Sequence, residues 1–185
     1  MVSPAFVYAV VVRLRAHLSG QEIATRLGLR LPTARYWVIG LGLSLVSAIV
    51  SLVNVRSGNS FTDEGSPVHF LVGQKPDATL VWQALLYAFV ATGFAEEILF
   101  RGLIAGVLFR RIERPWLANA IQGAIFTAPH LLILLIKVDA WPLLCLVFLL
   151  SLVLGWLRFV SKSIVPTALI HSVGNFGVAM AVMTW

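Results

Sequence analysis

Five long apolar stretches, Trp37–Val55, Thr79–Phe109, Trp116–Ile136, Trp141–Leu157 and Ser163–Trp185, are separated by short or charged connections. A helix needs about 20 predominantly apolar residues to cross the hydrocarbon core of a bilayer. There the backbone must satisfy its own hydrogen bonds, which leaves helices and closed barrels. The stretches are continuously apolar, without the alternation of a barrel strand, so they are predicted as helices. The fold class expected is all-α, a polytopic transmembrane bundle of five to six membrane helices. Only 12% of the 185 residues are charged and the mean hydropathy is +0.90, against roughly 25% charged in soluble domains. No separate soluble domain fits. Residues 1–35 are expected to form a short apolar and amphipathic N-terminal segment, and residues 36–185 the bundle.

Met1–Val12 would cover only ~18 Å as a helix, which suits an interfacial or half-spanning position. It has no preceding basic region and no following small-residue cleavage site, unlike a signal peptide. Within His17–Arg35, Ile23, Leu27 and Leu29 share the segment with Glu22, Arg26 and Arg30, the pattern of a short surface helix with Ser19 as N-cap. Arg56–Ala78 is broken by Gly58, Asn59, Gly65, Pro67, Gly73 and Pro76 and is expected to be a loop whose Val68–Val72 dips toward lipid. His17 is expected to be solvated and His69 structural. The single cysteine, Cys145, excludes an intrachain disulfide and is expected to be buried filler.

The basic residues follow topology. Arg13, Arg15, Arg26, Arg30, Arg35, Arg110, Arg111, Arg114, Arg158 and Lys162 fall on one side of five spans, and Arg56, Lys75 and Lys137 on the other. The positive-inside rule then places the N-terminus in the cytoplasm and the C-terminus outside a cell membrane. Trp37, Trp116 and Trp156 at one end, with Trp82, Trp141 and Trp185 at the other, suit an aromatic belt. The net charge of +6 forms no single basic face, so the partner expected is the lipid bilayer and not nucleic acid.

Six residues inside the spans need another reason. A charge at the centre of a membrane helix costs roughly 2.5–3.5 kcal/mol even on a lenient scale, and such residues mark functional interiors. Glu97 and Arg101, at i,i+4, can pair on one helix face, while Glu96 points about 100° away. One arginine needs only one carboxylate, so a purely structural lock leaves Glu96 unexplained. His130 follows Phe126 by four residues, with Pro129 expected to bend the helix and free the Ile125 carbonyl. His171 and Asn175 share a face at i,i+4, and Gly174 and Gly177 allow close approach of another helix, as do Gly102 and Gly106. Glu96 lies 14 residues from Arg110, His130 lies 16 from Arg114, and His171 and Asn175 lie 9 and 13 from Lys162. At 1.5 Å per residue these depths are about 21, 24, 14 and 20 Å, one layer within the bundle.

Carboxylates, imidazoles and an amide among apolar helices can activate water and hold an oxyanion, which points to amide hydrolysis. Neither a Gly-x-Ser-x-Gly elbow nor a His-Glu-x-x-His signature is present. Glu96, His130 and His171 could equally supply a two-histidine, one-carboxylate site for a divalent metal such as zinc. A non-catalytic scaffold or immunity-type protein, or a proton-conducting bundle, would use the same acids without turnover.

The sets Glu96-Glu97-x-x-x-Arg101, Phe126-x-x-x-His130 and His171-x-x-x-Asn175, in that order, resemble the three motifs of the CPBP intramembrane proteases, also called the CAAX protease or Abi family. Phe100-Arg101-Gly102 and Ser163-Ile164-Val165-Pro166 are also similar to that family, and the resemblance covers about Thr79–Met180, with a catalytic core near 79–180. It implies an intramembrane endopeptidase acting on a membrane-associated protein or peptide. By the same resemblance Glu96 and His130 would activate water, His171 and Asn175 would hold the oxyanion, and Glu97 with Arg101 would support the site.

Overall fold

The computed structural model describes residues 3–57, 62–135 and 137–184, and at Ser3, Val12 and Arg15 the backbone alone. Gly58 and Asn59 of the loop, Ile136 of the third predicted span and Trp185 of the aromatic belt lie outside the described residues. The helices are α1 (Ser3–Ala16), α2 (Gly20–Leu27), α3 (Ala34–Arg56), α4 (Ala78–Arg111), α5 (Pro115–Leu135), α6 (Val138–Ser161) and α7 (Val165–Met183). The last five are long and apolar enough to cross a membrane, and no strand occurs among the described residues.

Local chemistry sets the helix ends. Pro115 and Pro166 occupy the first turns of α5 and α7, and Pro142 the first turn of the α-helical part of α6, which begins at Trp141 after a short 3₁₀ turn; a missing N–H costs nothing there. Asp77 caps α4 by accepting from the Leu80 N–H at 2.8 Å. Ser19 caps α2 in a reciprocal box with Glu22. Gly28 closes α2 in the left-handed conformation, φ 71°, so the helix ends earlier than the apolar spacing implies. Leu29 therefore lies past the cap and is exposed, whereas Ile23 and Leu27 are buried.

The most enclosed helix is α7. It packs along α3 on one side and against α4 on another, while α5 pairs with α6. Small residues permit the closest contacts. A Cβ at Gly177 would stand 3.4 Å from Ala48 Cα, and one at Gly40 would stand 3.1 Å from Pro166 Cβ. Gly102 and Gly106 serve the same purpose, but what approaches them is the C-terminal end of α2: a Cβ at Gly102 would meet the Leu27 carbonyl oxygen at 2.9 Å. The N-terminal segment thus sits on α4. At one end of the bundle α3 reaches α6, where the Tyr36 hydroxyl donates to the Val160 carbonyl at 3.1 Å and Leu154, Leu157 and Ile170 close a small core.

Two further expectations are corrected. Of Val68–Val72, Val68 and Leu71 turn inward and are buried with Val55, Ala84, Val178 and Val182, Phe70 between them stays exposed, and the Gly73 N–H donates to the Val182 carbonyl at 3.1 Å. The loop's apolar residues cover the ends of α3, α4 and α7, which bring more apolar surface to that spot than one strand of loop could find alone. Cys145 is exposed, because its position on α6 faces outward from the bundle. Val38, Leu45, Val90, Leu132, Leu149 and the described tryptophans of the belt are likewise exposed, an apolar exterior suited to lipid.

Candidate active site

The motif Glu96-Glu97 sits between two widened π turns of α4, Leu86–Phe94 and Ile98–Ile104, a distortion frequent at functional sites. Glu97 and Arg101 are fully buried and paired at 2.8 Å. Arg101 also donates from Nη2 to Ser151 Oγ on α6 at 3.1 Å, and its guanidinium lies over the Phe126 ring of α5, 4.1 Å from the centroid. The other side of Glu97 meets α7: His171 Nδ1 stands 3.1 Å from Glu97 Oε1. A carboxylate oxygen accepts, so Nδ1 carries the hydrogen in this contact. One ion pair therefore touches four helices.

Glu96 takes the other direction. Its side chain is 13% exposed, and its Oε2 is 3.8 Å from His171 Nε2. His130 lies in the 3₁₀ segment Ala128–Leu135 into which α5 changes just before Pro129. Its Nδ1–H donates to the Phe126 carbonyl at 3.0 Å. This contact leaves Nε2 of the neutral ring as an acceptor. Asn175 Nδ2 donates to Thr92 Oγ1 at 2.8 Å, and Thr92 Oγ1 lies 3.0 Å from the Tyr87 carbonyl, five residues back in the π turn.

Glu96, His130, His171 and Asn175 line one cavity of about 670 Å³, together with Tyr87, Thr92 and Phe126. Glu97 and Arg101 stand behind its wall. The remaining lining is mostly apolar and comes from α3 and α6, and Val46, Leu132, Leu149 and Val153 at the rim are also exposed on the outer surface. The cavity consequently opens sideways between α3, α5 and α6. At the end opposite Tyr36 it is bordered by Asp63 and Lys137, an ion pair at 3.2 Å.

Among the described residues no three His, Cys, Asp or Glu side chains gather into a metal-binding group. His130 spends Nδ1 on a carbonyl, both nitrogens of His171 face the glutamates, and Glu97 is committed to Arg101. Outside the cavity, His69 Nδ1–H donates to the Thr62 carbonyl at 3.0 Å, and His17 is exposed.

Several partners escape a reading of the motifs. Thr92 holds Asn175, Ser151 holds Arg101, and Gln122 donates from Nε2 to Asn119 Oδ1 and to the Ser151 carbonyl, both at 3.0 Å. The signal that could find them is isolated polarity within apolar spans. Thr92 precedes Glu96 by four residues, and Asn119 and Gln122 stand three apart.

Five apolar helices around an internal cluster of acids, imidazoles and an amide define a polytopic integral membrane protein with its polar site inside the bundle. Residues 78–177, more than half of the chain, match the family described as type II CAAX prenyl endopeptidase Rce1-like, and the chain belongs to this family of CAAX-type intramembrane proteases. No curated protein and no solved structure matches it.

Proposed function

We propose that the chain is an intramembrane endopeptidase that hydrolyses a peptide bond in a membrane-associated protein or peptide, using water activated by Glu96 and His130. One observation carries the reading: residues from all three motifs line a single cavity, while the Glu97–Arg101 pair stays fully buried behind it. Within the cavity Glu96 accepts a proton from water as its oxygen attacks the scissile carbonyl carbon. His130, with Nδ1 tied to a carbonyl, offers Nε2 to the same water. The tetrahedral oxyanion is met by the Asn175 amide N–H and, when both ring nitrogens carry hydrogen, by the His171 Nε2–H, with Glu97 orienting the ring through Nδ1. The C–N bond breaks as the accepted proton passes to the leaving amine. Arg101 fixes Glu97 and touches no reacting atom.

The opening between α3 and α6 suits a substrate that arrives within the bilayer, such as a lipid-modified chain end or an apolar segment. The protein is proposed to lie in the cell membrane with its N-terminus cytoplasmic, as the basic residues favour, and with residues 1–35 as a segment docked on the bundle of residues 36–185. A cysteine at position 75 reached by an impermeant reagent only from the cytoplasm would contradict that orientation.

Cleavage of prenylated and unprenylated membrane peptides by the protein in proteoliposomes tests the activity. Glu96→Gln is expected to remove cleavage, by about 10²–10⁴-fold for a lost acid–base group, with helicity and unfolding midpoint retained. Full turnover by a folded Glu96→Gln protein would overturn the assignment.

A further inference from the structure

At the end of the bundle that carries α2, four cations gather where the turn after α2 meets the turn after α6. The two turns are locked together: the Ile164 N–H donates to the Gly28 carbonyl at 3.0 Å, Arg30 Nε to the Lys162 carbonyl at 3.0 Å, and Ser163 Oγ to the Arg30 carbonyl at 2.5 Å. Both turns are left-handed at one residue, Gly28 with φ 71° and Lys162 with φ 56°. Below them lies Arg158, only 6% exposed. Its Nη2 donates to the Arg26 carbonyl at 3.2 Å, and Arg110 Nη1 reaches the same oxygen at 3.5 Å. A Cβ at Gly28 would lie 2.6 Å from the Arg158 guanidinium carbon. Glycine there leaves room for the buried charge.

The two buried arginines of this protein are treated differently. Arg101 has Glu97 at 2.8 Å. Arg158 has no carboxylate, and the charges acting on it are those of Arg110 and Arg30; its Nε, like that of Arg101, is buried without a hydrogen-bond partner. Among the described residues no acid pairs with Arg30, Arg110, Arg158 or Lys162. The C-terminus of α2 supplies only about half a negative charge, against four positive ones. A buried, unpaired guanidinium is costly. Compensation from outside the chain would remove that cost. Arg30, Arg110 and Lys162 are exposed and form a rim around the Arg158 floor; Arg110, Arg158 and Lys162 lie at span ends, the level of lipid headgroups, and Arg30 is bonded to the Lys162 carbonyl there.

We propose that this cluster is a binding site for a phosphate-bearing anion, with Arg158 as its floor and Arg30, Arg110 and Lys162 as its rim. Planar guanidinium forks match phosphate oxygens in pairs, and span ends bring them to the phosphodiesters of anionic lipids. Burial, Arg158 and Arg30 together hold the Lys162 ammonium below the usual lysine range; a bound phosphate would reverse that shift. The site is separate from the cavity and does not rest on the peptidase reading.

The test uses the full chain in phosphatidylcholine nanodiscs, with phosphatidylglycerol, with inorganic phosphate, or with neither. Thermal unfolding and lipid retained in native mass spectrometry are read for the unsubstituted protein, for Arg30→Gln with Lys162→Gln, and for Arg13→Gln with Arg114→Gln, which removes the same charge elsewhere at that end. Phosphatidylglycerol is expected to raise the unfolding midpoint and to be retained. The rim pair should weaken retention about 25-fold, at about fivefold for each basic residue near an anionic surface, and the control pair should not. Stabilisation by inorganic phosphate with the same dependence on the rim supports the site and assigns it a soluble ligand. No stabilisation by either anion, or equal loss in both variant pairs, overturns the proposal.

Discussion

Arg101 is the side chain on which the buried half of the site depends, because its guanidinium meets a carboxylate, a hydroxyl and an aromatic face from three helices. Replacing it by methionine would leave Glu97 charged and uncompensated, a loss on the order of 3–5 kcal/mol. The double substitution Arg101→Met with Glu97→Gln should recover much of that loss in denaturant unfolding of the detergent-solubilised protein; an additive result would show that the pair is not coupled. Thr92 works at finer range. If Asn175 holds the oxyanion as proposed, Thr92→Val should lower kcat about 100-fold with KM little changed, since a misplaced Asn175 would then cost rate and not ground-state binding, and Thr92→Ser should restore most of it. Equal losses in both variants, or a change confined to KM, would remove Thr92 from this role. The charged residues of the site were legible in the sequence because each charge in an apolar span demands compensation. Thr92 and Ser151 were not, since a hydroxyl can satisfy itself on a backbone carbonyl of its own helix and sends no such signal.

Helix α2 depends on one cap, one glycine pair on α4 and the turn that follows it. The Glu22 carboxyl is held below the ordinary carboxylate range by hydrogen bonds from the Ser19 backbone N–H and hydroxyl. A carboxyl lowered on folding stabilises above its unfolded pKa, and that contribution is lost as pH falls through the folded value. Acid should therefore raise amide hydrogen exchange over residues 20–28 before it affects the spans. Gly102→Ala, whose Cβ would press on the Leu27 carbonyl, should do so at neutral pH, as a local cost of about 1–3 kcal/mol. Unchanged exchange in both would contradict the docking of α2. The existence and order of the five spans follow from hydropathy alone. The courses of Leu29, Val68 and Leu71 do not, because they are decided by the left-handed cap at Gly28 and by the ends of three helices meeting under one loop.

At the scale of the molecule, the gap between α3 and α6 could not be inferred from either helix, since a cavity is what remains where two packed pairs fail to touch. Its rim of Val46, Leu149 and Val153 faces outward, toward lipid. On the proposed peptidase reading, an opening in the plane of the membrane turns the encounter with substrate into a search in two dimensions. The relevant concentration is then molecules per area of bilayer and not per volume of buffer. Adding lipid at fixed enzyme and substrate should slow cleavage in proportion to the added surface, whereas diluting the same proteoliposomes in buffer should leave the turnover of each enzyme unchanged. The opposite pattern would mean that substrate enters from water.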